Sequence, residues 1–101
     1  MVKLTDAQVS VYKKYLSQWQ DDSHRLVKTY HFEDSASAMT FVENLIPKAR
    51  QLSHSPEMRM VDKSVTLILY TVDEEGEGIT GKDFALAMEA EKLYQSMNVM
   101  S

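Results

Sequence analysis

Three side chains in this sequence titrate near neutrality by their nature, the imidazoles of His24, His31 and His54. Proton transfer is therefore the chemistry the chain is best equipped for. There is no cysteine, which rules out a thiolate nucleophile, a thiolate metal site and a disulfide. His24 reads as a turn residue and His31 as lying on the polar face of a strand. Neither converges with His54 by spacing, so a metal site built from histidines is not expected, nor is a cofactor. His54 stands in Ser53-His54-Ser55-Pro56, at the end of an apolar helical pattern. There it can exchange protons, or it can serve only as a favourable charge beside the last carbonyls of a helix. Thr80 and Asp83 have the spacing of a helix cap, which points to structure before reactivity. The run Asp73-Glu74-Glu75-Gly76-Glu77 lacks the spacing of a calcium loop and reads as an exposed, solvated loop. A sharper reading makes it an acidic patch for a basic surface on a larger protein. Met58, Met60, Met88 and Met97 read as core or interface filling.

The elements that must position these groups follow from periodicity. Thr5 with Gln8 three residues on marks a helix start, followed by Leu4, Ala7, Val11 and Tyr15 on one face. Trp19 suits a first short strand, and Asp21-Asp22-Ser23 a turn. Leu26 to Phe32 reads as a second strand with Leu26, Tyr30 and Phe32 on one side, closing a hairpin. Asp34 or Ser35 caps a helix whose stripe is Ala38, Phe41, Val42, Leu45, Ala49 and Leu52. Pro47 interrupts that stripe and predicts a kink near Glu43 to Leu45. Met58, Met60 and Val61 suggest a third strand, Asp62-Lys63 a turn, and Val65 to Val72 a central strand. The last helix follows Thr80 and gathers Leu86, Ala90, Leu93 and Met97 on a face.

The expected fold is α+β, a four-stranded antiparallel sheet covered on one face by helices, in the order α-β-β-α-β-β-α. The 101 residues predict a single domain over 1–101. Hydrophobic residues at 44% and charged residues at 26% are ordinary for a globular chain. A net charge of −4 with scattered lysines and arginines argues against direct nucleic-acid binding. No apolar run is long enough to span a membrane, and the first residues lack a signal peptide's apolar stretch. A cytoplasmic location is the default. So small a core, with Phe84 and Tyr94 flanking the last helix's apolar face, predicts at least a homodimer.

The residues themselves narrow this further. Tyr30-His-Phe32-Glu-Asp34-Ser-Ala-Ser-Ala38-Met-Thr-Phe41-Val42 alternates aromatics before an aspartate, an alanine and a phenylalanine. Ser53-His54-Ser55-Pro56 follows the second helix, Val65 to Thr71 forms a strand, and Gly78-Ile79-Thr80-Gly81-Lys82-Asp83-Phe84-Ala85-Leu86-Ala87 opens the third helix. In order and spacing, these segments and Trp19 resemble the pterin-4a-carbinolamine dehydratase family from about Leu16 to Leu93. The resemblance implies a four-stranded antiparallel sheet with three helices, assembled as a homodimer or homotetramer. It also implies a pterin pocket lined by His54, Ser55, Pro56, Thr71, Val72 and Asp83, with His54 the one candidate catalytic residue.

The departures bear on chemistry. The resemblance implies His-His-Pro where this chain has His54-Ser55-Pro56, and a third histidine where it has Val72. Arg50 replaces a usual acid, and the loop before Gly78 is about two residues longer than that family's commonest form. Dehydration of a 4a-hydroxytetrahydropterin takes a proton from a ring nitrogen and delivers one to the leaving hydroxyl. Ser55 can hydrogen-bond but not titrate usefully, and Val72 can do neither. The expected rate loss is about 10²-fold or more. The sequence thus favours a degenerate, non-catalytic binding or assembly scaffold. The family offers precedents in a transcriptional coactivator role and in carboxysome-associated relatives that assist Rubisco assembly, though no residue here names that partner. The alternative is a weak or altered dehydratase built on His54.

Overall fold

The computed structural model describes residues 3–14, 16, 18–21, 24–54, 56–74 and 76–99. Tyr15, Asp22, Ser23, Ser55 and Glu75, all invoked above, lie outside the described residues. Helix α1 spans Asp6–Lys13 and α2 spans Ser35–Gln51; strands β1 (Gln20–Asp21) and β2 (Leu26–His31) come between them. Strands β3 (Glu57–Val61) and β4 (Ser64–Leu69) follow, then a short ribbon of β5 (Thr71–Asp73) and β6 (Gly76–Gly78), then helix α3 (Gly81–Val99). The main sheet has the order β1-β2-β4-β3, antiparallel throughout. This is the expected α+β fold, with the ribbon as an addition.

Register explains which face is buried. Leu26, Lys28 and Tyr30 of β2 stand opposite Leu69, Leu67 and Val65 of β4, and Met58 and Met60 of β3 continue the row. Leu26, Val65, Leu67 and Leu69 are fully buried against Ala38, Phe41, Leu45 and Ala49 of α2 and Phe84, Leu86, Ala87 and Ala90 of α3. The opposite face carries Thr29, His31, Ser64 and Thr66, where the Thr29 and Thr66 hydroxyls meet at 2.8 Å. Alternation along a strand forces this division.

Caps set the helix starts. At α1 the Thr5 hydroxyl accepts from Gln8 N–H while the Gln8 side chain accepts from Thr5 N–H, the reciprocal box read from sequence. Asp34 caps α2, accepting from Ser37 N–H at 2.7 Å, and that bond holds its carboxyl below the usual range. Helix α2 runs unbroken through Pro47. Pro47 and Glu43 are both exposed, so the Glu43 carbonyl that loses its helical donor can be served by water.

Three expectations are corrected. The buried residue of α1 is Val9, while Ala7 and Val11 are exposed. Tyr12 instead stacks on Phe84, with ring centroids 4.8 Å apart. The strand predicted over Val65 to Val72 ends at Leu69, because the chain leaves the sheet at Tyr70 and pairs with β6. The face of α3 expected to stay open is largely filled from within: Leu86 and Ala90 are fully buried, and Leu93 and Met97 pack against the core.

Lys28 shares the core-facing side of β2 with Leu26 and Tyr30, and a lysine there needs a counter-charge. Glu91 of α3 supplies it. One carboxylate oxygen, Oε1, accepts from Lys28 Nζ, from Trp19 Nε1 at 2.9 Å and from the Tyr30 hydroxyl at 2.9 Å. Burial, then the Glu91 charge, pushes the Tyr30 phenol well above its ordinary range. The sheet and α3 are thus tied across their interface by one acid. Glu91→Ala should cost roughly 2–4 kcal/mol, measured by urea unfolding, because it strands a mostly buried ammonium and two polar handles. A loss under about 1 kcal/mol would mean that water replaces the carboxylate there.

Candidate active site

The end of α2 delivers His54. Leu52 is the C-cap and Ser53 adopts φ 52°, the left-handed region. Ser53 N–H then donates to Arg50 O at 3.0 Å and His54 N–H to Ala49 O at 3.0 Å. These are the paired bonds of a Schellman ending, which satisfy helix carbonyls and turn the chain sharply. The main chain of His54 therefore caps the helix, but its ring does not. Nε2 instead bonds Asp83 Oδ1, with the His54 side chain 9% exposed and the Asp83 side chain 0% exposed.

Asp83 occupies the third position of α3. Its Oδ2 accepts from Thr80 N–H at 2.8 Å, from Thr71 Oγ1 at 3.0 Å and from Thr80 Oγ1 at 3.3 Å. The two threonine hydroxyls lie 3.1 Å apart. A fully buried carboxylate needs such partners, and here they come from α2's end, β5 and α3's start. With Nε2–H directed at Oδ1, Nδ1 is the ring nitrogen left to exchange a proton. An acid that orients an imidazole through one nitrogen while the other works is a recurrent acid–base device. Asp83 is thus both the helix cap read from sequence and the partner of His54.

Of the residues expected to line a pocket, His54, Thr71 and Asp83 come together in this network. Pro56 is half-buried and begins the turn into β3. Val72 does not join: it alternates to the other side of β5 from Thr71 and is 65% exposed. Ser55 lies outside the described residues. Arg50 is exposed on α2. His24 sits at an exposed bend with φ 68°, and His31 bonds Ser64 Oγ at 3.0 Å on the sheet's outer face. No group of three or more His, Cys, Asp or Glu side chains able to hold a metal occurs among the described residues.

The acidic run is not the free loop predicted. Asp73 pairs with Lys3 at 2.8 Å, and Glu77 accepts from Arg25 Nε at 2.7 Å and Nη2 at 2.8 Å. The two carboxylates are about one-third exposed or less, at 28% and 31%. Their partners lie some 50 to 70 residues away in sequence, beyond the reach of local pattern.

Comparison with known proteins identifies the family. The family model for pterin 4 alpha carbinolamine dehydratase matches residues 2–93. A relative from Thermomicrobium roseum, provisionally named pterin-4-alpha-carbinolamine dehydratase, is 32% identical over 93 residues, covering 92% of this chain and 98% of its own. One of the same name from Thermosynechococcus vestitus is 33% identical over 85 residues, covering 84% and 87%. The crystal structure of a transcriptional coactivator/pterin dehydratase from Brucella melitensis superposes with a TM-score of 0.85 over 92% of this chain and 99% of its own, at 23% identity. The α+β fold is that of the solved pterin dehydratase structure. The chain belongs to the pterin-4a-carbinolamine dehydratase family.

The left-handed Ser53 offers a direct test of how His54 is delivered. Glycine takes that conformation without steric cost, so Ser53→Gly should stabilise the chain by about 0.5–1 kcal/mol in urea unfolding. It should leave the His54–Asp83 bond in place, readable from the His54 ring resonances. A destabilised variant would mean that the serine hydroxyl, not backbone conformation, sets the turn.

Proposed function

We propose that the chain is a slow or altered dehydratase acting on a 4a-hydroxytetrahydropterin, with His54 as its acid–base group. The observation that carries this is the His54–Asp83 bond. A buried carboxylate held on its other oxygen by Thr71 and Thr80 fixes the imidazole and frees Nδ1. Curated relatives with the dehydratase name support the same reading.

The chemistry needs no net proton. His54 Nδ1 accepts the proton from the substrate's ring N–H, and the electron pair left behind forms the C=N bond as the C4a–O bond breaks. The same imidazolium returns its proton to the departing hydroxyl, which leaves as water. One imidazole must then do in sequence what several could divide. Asp83 holds the ring in one orientation through both steps. Thr71 within the network and Pro56 beside it would contribute to the pterin-binding surface, with Val72 as an apolar rim in place of an imidazole.

A second reading, a binding or assembly scaffold that has left catalysis, is favoured by Val72, whose exposed side chain offers no proton transfer. Self-association belongs to either reading: β3 is an open sheet edge on which Val61 is 73% and Met60 37% exposed. Light scattering at micromolar concentration should give a dimer or tetramer, and a monomer there would remove this part of the proposal.

The deciding experiment is turnover of a 4a-hydroxytetrahydropterin by the wild-type chain, His54→Ala and Asp83→Asn. Wild-type activity should lie about 10²-fold below a three-histidine relative, and His54→Ala should lose a further factor of about 10². Ser55→His with Val72→His should raise the wild-type rate. Wild-type turnover no faster than the uncatalysed reaction, or a His54→Ala rate equal to wild type, would sink the catalytic reading in favour of the scaffold.

A further inference from the structure

The β5–β6 ribbon is the only element touching Asp83 that does not belong to the main sheet or a helix among the described residues, and two distant cations hold it. Arg25, just before β2, grips Glu77 of β6 through two nitrogens, at 2.7 and 2.8 Å. The same guanidinium lies 4.3 Å from the ring centroid of Tyr70, the residue at which the chain leaves β4. Lys3 holds the turn end, donating to Asp73 Oδ1 at 2.8 Å and to Gly76 O at 2.7 Å. Its aliphatic chain crosses Gly78 so closely that an added Cβ would stand 2.5 Å from Lys3 Cδ. Leu4 N–H donates to Ile79 O at 2.8 Å and carries that strap onward to the start of α3.

The ribbon is therefore anchored from outside it at its middle and at its turn, and register links the anchors to the site. Glu77 stands opposite Val72, and Gly78 opposite Thr71. Thr71 Oγ1 in turn bonds Asp83, which holds His54. A shift of β6 carries Thr71 with it, because their backbones are paired.

We propose that Arg25, with Lys3, is a positioning residue for the His54–Asp83 site, acting through Glu77, Asp73 and the ribbon to set the Thr71 hydroxyl on Asp83. The bonds from Arg25 also hold the Glu77 carboxyl below the usual carboxylate range. Neither cation touches His54 or Asp83 in any of these contacts, so the effect is indirect. It is also distinct from stability: Arg25 braces a peripheral ribbon, not the core.

The kinetic half of this inference rests on the dehydratase reading, and the spectroscopic half does not. The test compares wild type, Arg25→Met, Glu77→Gln and the charge swap Arg25→Glu with Glu77→Arg, each checked for native circular dichroism. The three imidazoles are followed by NMR. His31, on the far face of the sheet, is the internal reference, and His24 is set aside as a neighbour of Arg25. In Arg25→Met the His54 resonances should shift while His31 stays still, and the charge swap should return them toward wild type. Turnover should fall about 10-fold with KM changed less than about 2-fold, since misplacing an orienting group acts on the reacting geometry. Should Arg25→Met fail to fold, Glu77→Gln gives the same readouts with the guanidinium retained. Unmoved His54 resonances in a folded Arg25→Met or Glu77→Gln variant would overturn the proposal, even with a lowered unfolding midpoint. A wild-type chain without dehydratase activity would sink the reading of function, while the His54 spectra would still decide this one.

Discussion

The Asp83 carboxylate has no exposed surface, and a buried carboxylate is tolerated only where every lobe finds a donor. That demand organises one end of the molecule. The backbone N–H and hydroxyl of Thr80 answer it from the start of α3, Thr71 from β5, and His54 from beyond the end of α2. These donors come from three different segments, His54 lying 29 residues from Asp83 in sequence. Their meeting point is a charge that must be neutralised by hydrogen bonds rather than an apolar contact that could slide. The Schellman turn at Ser53, the departure of the chain from β4 at Tyr70 and the cap at Thr80 all bring a donor to this one group.

A second acid plays a comparable part at the other side of α3. Glu91 gathers Lys28, Trp19 and Tyr30 onto one oxygen and fixes the helix against the sheet. Asp83 and Glu91 lie eight positions apart, just over two turns, so one helix carries both anchors. The apolar residues between them, Phe84, Leu86, Ala87 and Ala90, fill the core. Apolar packing supplies most of the burial, and the two acids specify how α3 is seated.

Local pattern made most of the fold legible. The stripe from Ala38 to Ala49 and the cap residues Thr5, Asp34 and Thr80 each declare an element within a few residues of sequence. The failures share a physical cause. Val9 rather than Val11 is buried in α1 because a two-turn helix beside a core has no periodicity long enough to name its face. The run from Val65 to Val72 looks continuous, but Tyr70 leaves the sheet for cation–π contact with Arg25, a pairing set by tertiary structure. The acidic residues at 73 and 77 read as solvated because their partners, Lys3 and Arg25, are invisible at short range. Lys28 was open to inference: strand alternation with Leu26 and Tyr30 places it inward and calls for an acid. The resemblance named His54, Thr71 and Asp83 together, but the sequence alone could not show that the cap aspartate and the histidine are bonded.

That bond bears on how the frame around Asp83 holds together whatever chemistry the site performs. Asp83 is needed by the cap of α3 whatever chemistry follows, since the Thr80 N–H would otherwise be a buried donor without an acceptor. The demands of folding therefore call for Asp83 and its threonines independently of any turnover. Val72 is under no such demand, its side chain being largely exposed. His54 stands between these cases. Its backbone is committed to the end of α2, a task many residues could perform, whereas only its ring answers Asp83 Oδ1. One ring thus meets the structural demand of the buried carboxylate and, under the proposed function, supplies the group that moves the proton.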